Sequence, residues 1–138
     1  MRFLDEAGIN LALTRLYGRA PAGERVIERI PGNYGAQTSV ISSLGLAGVE
    51  ATMSITGAVD TLVLDAYVER VLRPTIKAGD ILVLDNLAAH KASCIERVAE
   101  ERGATVIWLS PYSPEFSPIE LMWSKLRCVQ QKLVHVKN

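Results

Sequence analysis

Cysteine is scarce in this chain. Cys94 and Cys128 are its only two, 34 positions apart. Neither has a CxxC partner or a His-Cys cluster beside it, so no zinc site or disulfide framework can be argued. They read as two buried thiols in a reducing cytoplasm. An excess of charge is missing as well, with 15 basic and 15 acidic residues and a pI near 6.7. That balance excludes a small, uniformly basic protein that coats nucleic acid, but not an enzyme that acts on DNA. Long apolar runs are also absent. The longest uncharged stretch, Ile30 to Val49, carries four glycines, Pro31, Asn33, Gln37 and three serines, a poor composition for a membrane span. Met1-Arg2-Phe3-Leu4 runs at once into Asp5 and Glu6, which is not a signal peptide. The expected location is the cytoplasm.

What is present is enough for one ordinary domain. A chain of 138 residues with 49% hydrophobic content buries about 68% of its unfolded surface, so disulfides and structural metals are not needed for stability.

Arg2 to Asp5 reads as a short strand entering a Glu6-Ala7-Gly8 turn, with Ile9 to Leu13 as its hairpin partner. Arg25 to Ile30 is a short β-like piece with the charges of an exposed edge. Thr38 to Leu46 and Val49 to Thr56 form a hairpin around Ala47-Gly48. From Asp60, a natural N-cap, the period becomes helical through Leu64, Val68, Val71 and Leu72, until Pro74 ends or kinks it. Ile81 to Leu84 is the continuous apolar run of a strand buried on both faces, and it stops at Asp85. A helix follows with Ile95, Val98 and Ala99 on one face and Gly103 as its stop, then a second buried strand, Thr105 to Leu109.

The last helix has a strong start. Ser117 suits the N-cap, Pro118 the first helical position and Glu120 the third, while Phe116 is placed to staple onto Leu121. Ile119, Met122, Leu126, Val129, Leu133 and Val136 form one apolar stripe along it. Meandering strands followed by alternating helices and strands predict an α/β domain, a mixed five-stranded sheet covered by helices, the layout of an RNase H-like fold.

Three carboxylates fall where elements end: Asp5, Asp85 and Glu120. Sites in open α/β sheets lie beyond the carboxyl ends of strands. Hard cations such as Mg²⁺ take oxygen ligands and keep several waters, so two or three carboxylates from separate segments make a site. Paired ions about 3.5–4 Å apart activate a nucleophile on one side of a phosphodiester and stabilise the leaving oxygen on the other. Each acid also has a plain structural explanation: Asp5 as a turn residue, Asp85 as a loop cap, Glu120 in a capping box with Ser117. Glu6 faces the other side of its strand and is the weaker ligand candidate. Trp108 and Trp123 suit core packing better than base stacking.

Phe3-Leu4-Asp5-Glu6-Ala7-Gly8, Leu82 to Lys91 around Asp85-Asn86, and Leu109 to Glu120 with its Tyr112-Ser113-Pro114 and Pro118-Ile119-Glu120 resemble the three acidic motifs of DDE-type transposases. The nearest branch is that of the bacterial insertion sequences related to mariner elements. The resemblance runs from Phe3 to about Leu126, and the 34 residues between Asp85 and Glu120 are similar to that branch's spacing. Ser117 stands where the family usually has Asn, and Ser110 where it often has Pro.

The resemblance implies an RNase H-like catalytic (DDE endonuclease) domain over residues 1–138, with Asp5, Asp85 and Glu120 as catalytic, metal-binding acids. It implies two Mg²⁺ or Mn²⁺ ions, and Asn86 and His90 as auxiliary residues. The implied chemistry is cleavage and strand transfer of DNA at terminal inverted repeats, usually into a TA target. Water attacks first and the released 3′-hydroxyl second, without a covalent enzyme intermediate. The implied partners are DNA and a second copy, as a homodimer or higher assembly on DNA. With the first acid at position 5, the expected chain lacks an N-terminal helix-turn-helix. It is then the second frame of a split element, with that module on a separate polypeptide from an upstream frame, a catalytic fragment, or a decayed copy. The alternatives are an inactive remnant acting by dimerisation or inhibition, and an RNase H-like nuclease without joining activity.

Overall fold

A computed structural model describes residues 1–9, 19–25, 27, 37–85, 93–110 and 117–136, the last six by backbone alone. At the middle of the sheet that the described residues form lies β1 (Arg2–Ile9), hydrogen-bonded on one side to β2 (Thr38–Gly45) and on the other to β4 (Ile81–Leu84). With β3 (Gly48–Thr56) and β5 (Thr105–Trp108) at the edges, the order is β3-β2-β1-β4-β5. β2 is antiparallel to both β1 and β3, whereas β4 runs parallel to both β1 and β5. This is the mixed five-stranded sheet expected from the order of the motifs.

β1 does not turn at Glu6. It continues through Ala7 and Gly8 because β2 pairs with it residue by residue, Glu6 opposite Ile41, Ala7 opposite Val40 and Gly8 opposite Ser39. Gly8 suits an approach by Gln37, whose side chain stands 3.1 Å from where a Cβ would be. The hairpin partner expected at residues 10–13 and most of the β-like piece at 25–30 lie outside the described residues. β2 and β3 form the expected hairpin, with one extra residue in β3 between the Ile41–Met53 and Ser43–Glu50 pairs. Ala51 takes that bulge with a φ of 44°, in the left-handed region. The bulge shifts the parity of β3, so that both Glu50 and Met53 turn inward.

α1 (Thr61–Tyr67) starts where Asp60 predicted, with the Val63 N–H donating to Asp60 Oδ1 at 2.9 Å. It passes into a π-helical turn (Val68–Leu72) and a 3₁₀ turn (Arg73–Thr75). Pro74 has no N–H to give and crowds the carbonyl four residues back, so the chain leaves α geometry before reaching it. α2 (Ser93–Glu101) ends two residues before Gly103, whose φ of 70° stops the helix.

Helices cover both faces of the sheet. On one face Leu4, Leu82 and Leu84 pack under Tyr67, Leu72 and Ile95, from the segment beginning at α1 and from α2. On the other face Ala7 packs under Ile119 and Trp123 of α3 (Ile119–Val136), with Phe3 and Val40 beside them. Fully burying such a side chain contributes about 1.5–3 kcal/mol, which is why the apolar run of β4 sits inside the sheet.

Three expectations fail on burial. β5 is an edge strand that alternates between half-buried and exposed, with Ile107 43% exposed. Only one strand pairs with it, so its apolar composition does not bury it. The stripe on α3 is buried at Ile119 but not beyond Trp123, since Leu126 and Val129 are exposed, and Leu121 is too exposed for a staple. Cys94 is buried as a free thiol, but Cys128 is an exposed one, carried on that uncovered part of α3. Among the described residues no helix is long and apolar enough to cross a membrane.

Candidate active site

The parallel pairing of β1 with β4 sets Leu4 opposite Leu84. The next residue of each strand is an acid, so Asp5 and Asp85 emerge side by side where the β1–β4 pairing ends. Glu120 joins them from the first turn of α3, which packs on the Asp5 face of β1 through Ala7 and Trp123. All three acids line one cavity of about 310 Å³ at this end of the sheet.

Asp5 is held on both oxygens. Oδ1 accepts the backbone N–H of Glu6 at 2.8 Å, and Oδ2 accepts the indole Nε1–H of Trp123 at 2.9 Å. Burial pushes its carboxyl up to about 6, and the charges of Glu120 and Asp85 push the same way, while the two hydrogen bonds oppose them. Trp123 is therefore a core residue, as its sequence context suggested, and also the brace of the first acid.

The chemistry of the donors fits a hard divalent cation. They are carboxylate oxygens only, from three separate segments, and burial, with the charges of Glu120 and Asp85, raises Asp5 toward neutrality. Among the described residues no three His, Cys, Asp or Glu side chains are arranged to hold one ion.

Glu120 stands in the first turn of α3. Its backbone N–H donates to the Ser117 carbonyl at 3.1 Å, and its carboxylate lines the cavity. Among the described residues the Ser117 hydroxyl makes no hydrogen bond, so the capping box is not formed there. Glu6 belongs to the Leu4 side of β1 as expected, yet it too lines the cavity, which wraps around this end of the sheet. Asn86 and His90 lie outside the described residues, as do Lys91 and Phe116. Trp108 is half-buried against the core, and its indole N–H donates to Glu96 Oε1 at 3.2 Å, away from the acids.

Sequence reasoning missed two contributors. Tyr67 lies beneath the acids with a phenol that burial pushes above its ordinary range, so it stays neutral at physiological pH. Arg127 lines the cavity from α3. Its signal was spacing: Trp123 and Arg127 stand three and seven residues after Glu120, on the same side of a helix.

A mixed five-stranded sheet in this order, with helices on both faces and acids where the pairing of its two parallel central strands ends, is an RNase H-like fold. Within that class the chain belongs to the DDE superfamily endonucleases, whose family model matches residues 1–134. Comparison with curated proteins gives no match.

Among solved structures, a pre-cleavage Mos1 transpososome superposes over 94% of this chain and 42% of its own, with a TM-score of 0.70 and 15% identity. The Mos1 mariner paired end complex with Mn covers 94% and 41%, with a TM-score of 0.69 and 17% identity. The Mos1 strand transfer complex covers 85% and 37%, with a TM-score of 0.64 and 18% identity. At these identities the likeness is one of fold, and the chain spans 37–42% of the length of those three chains.

Proposed function

We propose that this chain is the catalytic domain of a DNA transposase, a divalent-metal-dependent enzyme that cleaves and joins DNA at the ends of a mobile element. The observation that carries the reading is the convergence of Asp5, Asp85 and Glu120 on one cavity from β1, the end of β4 and α3. The Mos1 structures of similar fold are transposase complexes, one described with Mn and one with Mg.

Asp5, Asp85 and Glu120 are the residues that would hold two Mg²⁺ or Mn²⁺ ions. When bound, the ions supply Lewis-acid activation of the attacking oxygen and stabilisation of the leaving one. The chain's own part is positioning. Trp123 and the Glu6 N–H lock both oxygens of Asp5, and the β1–β4 pairing sets Asp85 beside it. α3 brings Glu120 over the same opening. Water attacks the phosphodiester at the element end, and the freed 3′-hydroxyl then attacks target DNA, with TA as the target dinucleotide. Asn86 and His90 follow Asp85 in sequence as auxiliary groups. The unit is one catalytic domain over residues 1–138. The working assembly is a homodimer or higher assembly on DNA.

The test is Asp85→Asn, with Glu120→Gln beside it. Each variant should keep the wild-type circular dichroism and abolish Mn²⁺-dependent nicking and joining of inverted-repeat DNA. Undiminished activity in either one sinks the assignment. Wild-type protein that self-associates yet shows no calorimetric Mn²⁺ binding would be the inactive remnant, and cleavage of RNA–DNA hybrids without joining would mark a nuclease.

A further inference from the structure

We infer that the far half of α3 is a docking surface for one amphipathic helix of another protein, a helix apolar along its seam and acidic on both flanks. Beyond Trp123 the helix has no packing partner among the described residues. Ser124 to Val129 span more than a full turn and are exposed throughout, so no face of that stretch lies on the sheet. The helical backbone nevertheless runs on to Val136, about 20 Å past Trp123.

The sequence pattern changes at the same point. Over the first turns the apolar positions make a broad patch, with Ile119, Met122 and Trp123 all packed in the smaller core. After Met122 the apolar residues recur alternately four and three apart, at Leu126, Val129, Leu133 and Val136, and the positions on either side of that line are Lys125, Gln130 and Lys132. A helix lying on a sheet needs a wide apolar stripe. A line this narrow, flanked by polar residues, is the seam that a single partner helix covers.

Charge selects the partner. From Leu121 to Asn138 the chain holds Lys125, Arg127, Lys132 and Lys137 and no acid. In a two-helix seam the flanking positions of the two helices face one another. A second copy would therefore set lysine against lysine with no carboxylate to offset it, which disfavours pairing of α3 with itself. A helix with Glu or Asp on its flanks meets opposite charge along both edges while its apolar line covers Leu126 and Val129. DNA would engage the lysines and leave those two side chains in water.

Two synthetic peptides test this on the intact chain. Both are about three heptads long with Leu along the seam, and one carries Glu at every flanking position where the other carries Lys. By fluorescence anisotropy the Glu peptide should bind about tenfold or more tightly than the Lys peptide, and it should gain helix by circular dichroism. Its affinity should fall severalfold between about 50 and 500 mM salt. Leu126→Gln with Val129→Gln should weaken it about a hundredfold. That variant should keep the wild-type melting temperature, because both side chains are exposed. Lys125→Glu with Lys132→Glu should reverse the preference between the peptides. Equal binding of both peptides, binding of neither, or undiminished binding by the Gln variant overturns the inference. So does a Gln variant that melts early, which would put the seam in the chain's own core. Self-association of the wild type that the Gln variant abolishes would make the occupant a second copy, and it overturns the inference as well.

Discussion

The indole of Trp123 and the carboxylate of Asp5, 118 residues apart in the chain, are joined by a 2.9 Å hydrogen bond. Trp123 is buried in the smaller core with Ile119 and Ala7. One residue thus packs α3 on the sheet and orients the first acid of the cavity.

Replacing Trp123 by Phe separates those two jobs. The ring still fills most of the space, but the donor to a charged acceptor is gone. We expect a loss of about 1.5–3 kcal/mol, the usual range for such a bond, together with reduced Mn²⁺-dependent nicking. Trp123→Ala should cost about 3–5 kcal/mol because it also opens a cavity. Urea denaturation of the three proteins measures both steps, and a Phe variant as stable and active as wild type would show that the hydrogen bond orients nothing.

Asp5 makes the metal-free protein sensitive to pH. Its carboxyl lies near 6 in the fold against an ordinary 3.8, so between those values the folded state keeps a proton that the unfolded chain releases. Stability contributed by that proton is present at low pH and is lost as pH rises through about 6. With a chelator present, the melting temperature should fall from about pH 4 to pH 6 through this group. Asp5→Asn should remove that component and melt above wild type at neutral pH. Added Mn²⁺ should close the gap by stabilising wild type alone, since the ion replaces the proton. Parallel melting curves for the two proteins across that range would contradict the assignment of burial and like charge at this site.

Arg2 is the second sensitive point, away from the acids. It bridges Glu50 at 3.0 Å and Asp80 at 3.2 Å and donates to the Thr75 hydroxyl and carbonyl at 2.8 and 2.7 Å. Arg2→Met leaves both carboxylates without their shared cation in a largely buried place and should cost about 3–5 kcal/mol. Adding Glu50→Gln should recover part of that loss, which a double-mutant cycle by chemical denaturation can read. Strict additivity of the two changes would show that the pair is not coupled.

Asp85 and Glu120 were legible because their signals are local, an apolar run that stops at an acid and a Pro-Ile-Glu helix start. Asp5 was legible as an acid but misplaced at a strand's end, because Glu6-Ala7-Gly8 reads as a turn until the pairing with Ile41, Val40 and Ser39 is known. Burial was less legible than element type. Ile107 and Val129 are as apolar as the core, but what covers them depends on which element lies opposite, and that is a long-range fact. The same holds for Trp123, whose hydrogen-bond partner lies at the other end of the chain.

The register Leu4 opposite Leu84 makes this site a matter of counting. The lateral placement of Asp5 and Asp85 is fixed by main-chain hydrogen bonds between neighbouring strands, which any side chains on those strands would preserve. Deleting or inserting one residue ahead of Asp5 would turn every later side chain of β1 to the opposite face. It would remove the carboxylate from Trp123 as surely as replacing it. The chain can therefore drift far in identity while its central strands keep their lengths, and length changes are pushed out to loops such as the Leu46-Ala47 turn.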